Sequence, residues 1–186
     1  FLAASWFLNG DPYLKNTPCF EIFYHEDKTI SVLVSIQSTG TVAISGELFF
    51  DPNVLELESV IGLDFFPTFI GPFSIESAMD TGSFEYAAEF STSPVNLSGT
   101  LPVFLAVFRP KADTVTSVRS TVSSCVDKDL NDIPCSGSEW SFSTTGEIRR
   151  LCFWGDVDGD YRVNTKDKVL VSRYLAKWTM AGSFHK

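Results

Sequence analysis

The sequence predicts a mainly β protein, with one antiparallel β-sandwich over roughly residues 18–144 followed by a single calcium-type loop and helix. Three observations carry this prediction. Apolar and polar residues alternate in several short runs, turn residues separate those runs at regular spacing, and no helical period shows before Thr165. A length of 186 residues suits one domain of about 100–200 residues with a small appendage. With 44% apolar residues and 17 Phe, the chain has the material for a core.

Residues 1–26 form an N-terminal segment. Its opening, Phe1-Leu-Ala-Ala-Ser-Trp-Phe-Leu8, is apolar without a charged start or a Met, and reads as a mature N-terminus behind a signal peptide or as part of one. From Thr29 to Gln37 the chain alternates strictly, with Ile30, Val32, Val34 and Ile36 on one face. The pattern recurs in Val42, Ile44, Leu48 and Phe50, and again in Phe84, Tyr86, Ala88 and Phe90. In the run Leu101, Val103, Leu105 and Val107 the alternate residues Phe104 and Phe108 are apolar too, which predicts a strand covered on both faces. Pro102 inside that run predicts an edge or a bulge. Ser38-Thr-Gly40, Asp51-Pro-Asn53, Gly71-Pro72, Asp80-Thr-Gly82 and Leu97-Ser-Gly99 are the turns between runs.

Beyond a connector at residues 145–152, the unit 153–186 carries the most specific chemistry. In Gly155-Asp-Val-Asp-Gly-Asp-Tyr-Arg-Val-Asn-Thr-Lys-Asp167, the residues Asp156, Asp158 and Asp160 occupy positions 1, 3 and 5 of an EF-hand-type loop. The Arg162 carbonyl falls at position 7, Asn164 at position 9 and Asp167 at position 12. A loop wrapping Ca²⁺ presents alternate side chains inward, because the ion takes six to eight oxygen ligands. Tyr161 replaces the usual Gly at position 6, at a cost of about 1 kcal/mol if φ is positive there. Asp167 is shorter than the usual Glu and draws the following helix closer. That helix, from about Thr165 to Trp178, gathers Val169, Leu170, Tyr174, Leu175 and Trp178 near one stripe, with Arg173 and three lysines towards the other side.

Gly155-Asp-Val-Asp-Gly-Asp160 with Leu170-Val-Ser-Arg-Tyr-Leu175 resembles one repeat of a dockerin module, whose calcium loop ends in Asp. Dockerins carry two such repeats, and this chain shows one. Ile30-Ser-Val-Leu-Val-Ser-Ile36, Asp51-Pro-Asn-Val-Leu-Glu-Leu57 and Ser98-Gly-Thr-Leu-Pro-Val-Phe-Leu-Ala-Val-Phe108 in turn resemble a cohesin, the receptor of dockerins, over residues 27–144. The resemblance implies a nine-stranded jelly roll that binds dockerin helices on one sheet face. It also implies docking roles for Val169, Leu170, Arg173, Tyr174, Leu175 and Trp178. A unit of about 30 residues cannot bury enough surface to fold alone, so this half-dockerin should be held against a partner surface.

The expected function is therefore that of a non-enzymatic extracellular assembly protein. Its copies would join head to tail through calcium-stabilised cohesin–dockerin-like contacts into a fibre or other polymer. An intramolecular dock is the competing arrangement. A second reading is a cellulosome-like scaffolding or adhesion module for a different dockerin- or cohesin-bearing protein. A third is a carbohydrate-binding jelly roll, although Trp6, Trp140, Trp154 and Trp178 do not form an evident sugar platform.

Four cysteines lack zinc spacing. They read as a Cys125–Cys135 disulfide closing an acidic loop with Cys19–Cys152 tying the domain ends, or as buried free thiols; four cysteines allow three pairings. Oxidised cysteines would place the chain outside the cytosol. Asp127, Asp129, Asn131 and Asp132 inside that loop open like a second calcium site, with an acidic turn as the simpler reading. Asn96 heads the one N-glycosylation sequon. Glu47, Glu85 and Glu89 could be imagined as a glycosidase pair, but solvent-facing strand acids are far more common. With 14 basic against 23 acidic residues the net charge of -9 repels nucleic acid, and no apolar run is long enough to span a membrane.

Overall fold

The computed structural model describes residues 16–89, 98–147, Val157 and 165–175, with side chains of the last segment described to Ser172. Among these residues nine strands and two helices follow in order: β1 (Thr17–Tyr24), β2 (Ile30–Thr39), β3 (Ala43–Phe50), β4 (Leu55–Gly62), β5 (Thr68–Ile70), α1 (Ile75–Thr81), β6 (Ser83–Glu89), β7 (Ser98–Pro110), β8 (Val115–Val126), β9 (Ser138–Ser143) and α2 (Thr165–Leu175). The strands form a four-stranded sheet, β1-β2-β7-β4, and a five-stranded sheet, β5-β6-β3-β8-β9. Every described pairing is antiparallel. This is the expected antiparallel sandwich. β1 lies within the residues set apart as an N-terminal segment, and it pairs with β2 from Thr17↔Gln37 to Tyr24↔Ile30.

Alternation explains which side chains face the core. Ile30, Val32, Val34 and Ile36 of β2 meet Ile44, Leu48 and Phe50 of β3 in one cluster between the sheets. Phe104 of β7 is the aromatic hinge of that cluster, with ring centroids 4.9 Å from Tyr86, 5.4 Å from Phe69 and 5.9 Å from Phe84. β7 is buried on both faces, as its apolar run predicts. Pro102 sits in a central strand rather than at an edge, because the register with β2 slips between Val34 and Ser35 and passes over one residue of β7. A bulge removes the ladder bond that Pro cannot donate.

Helix α1 overturns the expectation of no helix before Thr165. Ser74 caps it, accepting the Ser77 N–H at 3.0 Å, and Gly82 ends it at φ 70°, donating its N–H to Ala78. The signature Asp80-Thr-Gly82 is thus a helix stop and not a free turn. Seven residues are too few to show a helical period, and Ala78 is the one buried residue of α1.

Candidate functional site

Two regions carry candidate chemistry. In the C-terminal unit, Asp167 stands in the first turn of α2 and is buried. Its Oδ1 accepts the Val157 N–H at 2.7 Å, so the residue at loop position 12 reaches back to position 2. A buried carboxylate turned onto its own loop suits an oxygen ligand of a hard cation. Asp156, Asp158, Asp160, Arg162 and Asn164 lie outside the described residues, as do the sequon Asn96, Cys152 and Trp178. Along α2, Leu170 is buried while Val169 and Val171 are exposed. Val169 and Leu170 therefore do not share one stripe, since neighbours on a helix point about 100° apart. The side chains of Arg173, Tyr174 and Leu175 lie outside the described set.

The second region is the outer face of the five-stranded sheet. Because Ile44, Gly46 and Leu48 face the core, Ala43, Ser45, Glu47 and Phe49 of β3 face out. Register sets Ser45 opposite Ala87, and Glu47 opposite Glu85. The small side chains leave a shallow apolar depression, lined by Ala43, Ser45, Ile70, Ala87, Ser124 and Val126. Glu47, Glu85 and Glu89 rim it as an acidic row. At the far end Arg119 stacks over the Phe49 ring at 4.1 Å. Ile70 and Phe73 add exposed apolar surface at the β5 edge. Opposed like charges on neighbouring strands oppose folding, so a cationic partner would relieve them. The acids are visible in the sequence, but the small residues between them read there only as a solvent face.

The Asp127–Asp132 loop closes upon itself. Asp127 Oδ1 accepts the N–H groups of Asp129 and Asn131, each at 2.9 Å, and Lys128 pairs with Asp129 at 2.6 Å. These bonds, the Asn131 N–H first, hold the Asp127 carboxyl below its usual range. No group of three or more metal-ligating side chains assembles among the described residues.

Neither expected disulfide is formed, since Cys19, Cys125 and Cys135 are free thiols. Burial first, and then the neighbouring Cys135 thiol, pushes Cys125 up to about 12. Backbone closes the loop in place of sulfur: Ile133 donates to the Cys125 carbonyl at 2.9 Å, and Val126 bridges Asp132. The Cys135 thiol instead turns to the Val122 carbonyl at 3.9 Å. Among the described residues no helix is long and apolar enough to cross a membrane.

No family model and no curated protein matches the chain. Solved structures do. A type I cohesin from Pseudobacteroides cellulosolvens aligns at TM-score 0.54 and 15% identity, over 75% of this chain and 99% of the cohesin. A non-cellulosomal cohesin from the archaeon Archaeoglobus fulgidus aligns at 0.51 and 19%, over 69% and 90%. A chain of a dockerin–cohesin complex crystallised at pH 5.5 aligns at 0.52 and 16%, over 68% and 98%. The sandwich therefore has the cohesin fold.

Proposed function

We propose that this protein is a non-enzymatic, extracellular protein–protein assembly module whose five-stranded sheet face receives a dockerin-like helix. The observation that carries this reading is the depression of small residues rimmed by Glu47, Glu85 and Glu89 on a cohesin fold. Small side chains let a helix approach closely, and the acids would pair with its basic residues. The first candidate for that helix is α2 of a second copy, which exposes Val169, Val171 and Lys168. Joining one copy's helix to another's sheet is a heterologous contact, and repetition makes a ring or an open polymer. Ca²⁺ held by Asp156, Asp158, Asp160, the Arg162 carbonyl, Asn164 and Asp167 would order the unit that carries α2. A separate dockerin- or cohesin-bearing protein is the second partner, favoured if copies do not associate.

Sedimentation of the full chain decides between them. Self-assembly predicts larger species in calcium that revert in chelator, and their loss in the variant Ala87→Arg, which fills the depression. A monomer at every concentration would sink the polymer and leave the separate partner.

A further inference from the structure

Among the described residues, the two most exposed large apolar side chains are Phe73 and Leu130, at 104% and 79%. They stand in separate loops, and each loop continues a strand that lines the apolar depression. Phe73 follows Ile70 of β5, and Leu130 follows Val126 of β8. In the order β5-β6-β3-β8 those strands lie three spacings apart, a span of about 14 Å. An α-helix with its side chains measures about 10–12 Å across. The depression is thus one helix wide, with an exposed apolar residue in the loop at either side. Neither residue serves the fold from there. Phe73 is held between Gly71-Pro72 and Ser74, the cap of α1. Leu130 has φ 63°, a left-handed backbone that Gly or Asn takes readily and Leu only at a cost. Its loop keeps it there: Leu130 donates its N–H to the Asp127 carbonyl at 3.0 Å, Asp127 Oδ1 accepts the Asn131 N–H at 2.9 Å, and Val126 bridges Asp132. A strained leucine that buries nothing in its own chain gains burial only against another surface.

We propose that Phe73 and Leu130 are the two apolar anchors that grip helix α2 of a second copy as it lies in the depression. The inference rests on the reading of this face given above and names the residues that make it selective. α2 supplies the matching side. Asp167 and Leu170 are its buried residues. At about 100° per residue, the side opposite them carries Thr165, Lys168, Val169 and Ser172, all of them exposed. Thr165 and Ser172 are small enough to let the helix approach the floor at Ser45 and Ala87. Val169 is the apolar contact for an anchor, and Lys168 complements the acids Glu47, Glu85 and Glu89. The small floor alone would admit almost any helix, whereas two fixed anchors favour one that is apolar where they meet it. Exposed Val115 lies at the opposite end of β8, paired with Ser143 of β9, and takes no part in the grip.

Sedimentation equilibrium of the full chain in calcium tests the grip, with urea unfolding of each variant beside it. Leu130→Gly and Phe73→Ser should each raise the dissociation constant about tenfold, the loss of an interface anchor, and Val115→Ser should leave it unchanged. Leu130→Gly relieves the left-handed strain, so its urea midpoint should equal or exceed the parent's while association falls. A lowered midpoint would show that the leucine serves the fold, and would overturn its role as an anchor. Val169→Ser should weaken association as well; indifference to it would put another segment in the depression and overturn the proposal. If Ala87→Arg abolishes association while Leu130→Gly and Phe73→Ser associate as the parent does, the anchors are refuted and the reading of the face stands. If Ala87→Arg changes nothing, or the parent is a monomer throughout, a second copy does not occupy this face and both fall.

Discussion

Asp27 fixes the turn from β1 to β2. Its carboxylate accepts the Thr29 hydroxyl at 2.7 Å and the Thr29 N–H at 3.0 Å, and these bonds, the hydroxyl first, hold its carboxyl below the ordinary value. A lowered folded pKa means stability that is present at neutral pH and is lost as pH falls from the unfolded value of 3.8 through the folded one. Asp27→Ala should therefore cost about 0.5 kcal/mol at pH 7, a hydrogen bond's worth discounted for exposure. Urea midpoints of variant and parent should converge once pH has fallen through the folded value. A cost that persists at that pH would locate the effect in packing instead. Inside the five-stranded sheet, Tyr86 and Ser120 share a buried hydroxyl bond of 2.8 Å beside the bulge at Gly46. A Cβ on Gly46 would meet the Thr121 carbonyl at 2.2 Å and the Tyr86 hydroxyl at 2.9 Å. Gly46→Ala should destabilise by roughly 1–3 kcal/mol through strain, and Tyr86→Phe by about 1 kcal/mol through the lost hydroxyl bond, since Ser120 still donates to the Thr121 carbonyl. Urea unfolding of the two variants checks both numbers.

At the scale of elements, what was legible followed from periodicity. Strict alternation marked β2, β3 and β6, and doubled apolarity marked β7 as central. α1 was not legible, because a helix of seven residues is specified by its caps and by one buried Ala. The outer site was half legible. Glu47 and Glu85 stand in the sequence as separate strand acids, and only the register of β3 against β6 sets them opposite each other. Alternation places Ser31, Leu33 and Ser35 away from the core, but nothing in the sequence shows that they are buried there as well. In α2, Asp167 stands at the twelfth position of the loop register and its Oδ1 accepts the Val157 N–H. Calcium at a hundredfold its Kd should stabilise the C-terminal unit by about 2.7 kcal/mol, and chelation should reduce helical circular dichroism. Asp158→Ala should remove both effects, and calcium uptake unchanged in that variant would refute the loop assignment.

For the whole molecule, charge decides how copies or partners meet. A chain of net charge -9 repels its own kind at long range. Association must therefore bring together local surfaces of opposite sign. The acidic row at Glu47, Glu85 and Glu89 is one such surface, and the exposed Lys168 side of α2 offers the other. Two salt effects then compete. Screening weakens the contact between acid row and lysines, and it also relaxes the net repulsion. The proposed contact would be short-range, whereas the repulsion is long-range and is screened first. Raising salt from about 20 to 100 mM, where the Debye length falls to about 10 Å, should therefore strengthen calcium-dependent association. Further salt, to about 1 M, should weaken it again. A sedimentation series across that range would show a maximum in the fraction assembled. Lys168→Glu should abolish the assembled species, and Lys168→Glu combined with Glu85→Lys should restore them in part. Association that rises monotonically with salt, with both variants behaving as the parent, would mean that apolar burial alone holds the copies together and that the acidic row plays no part.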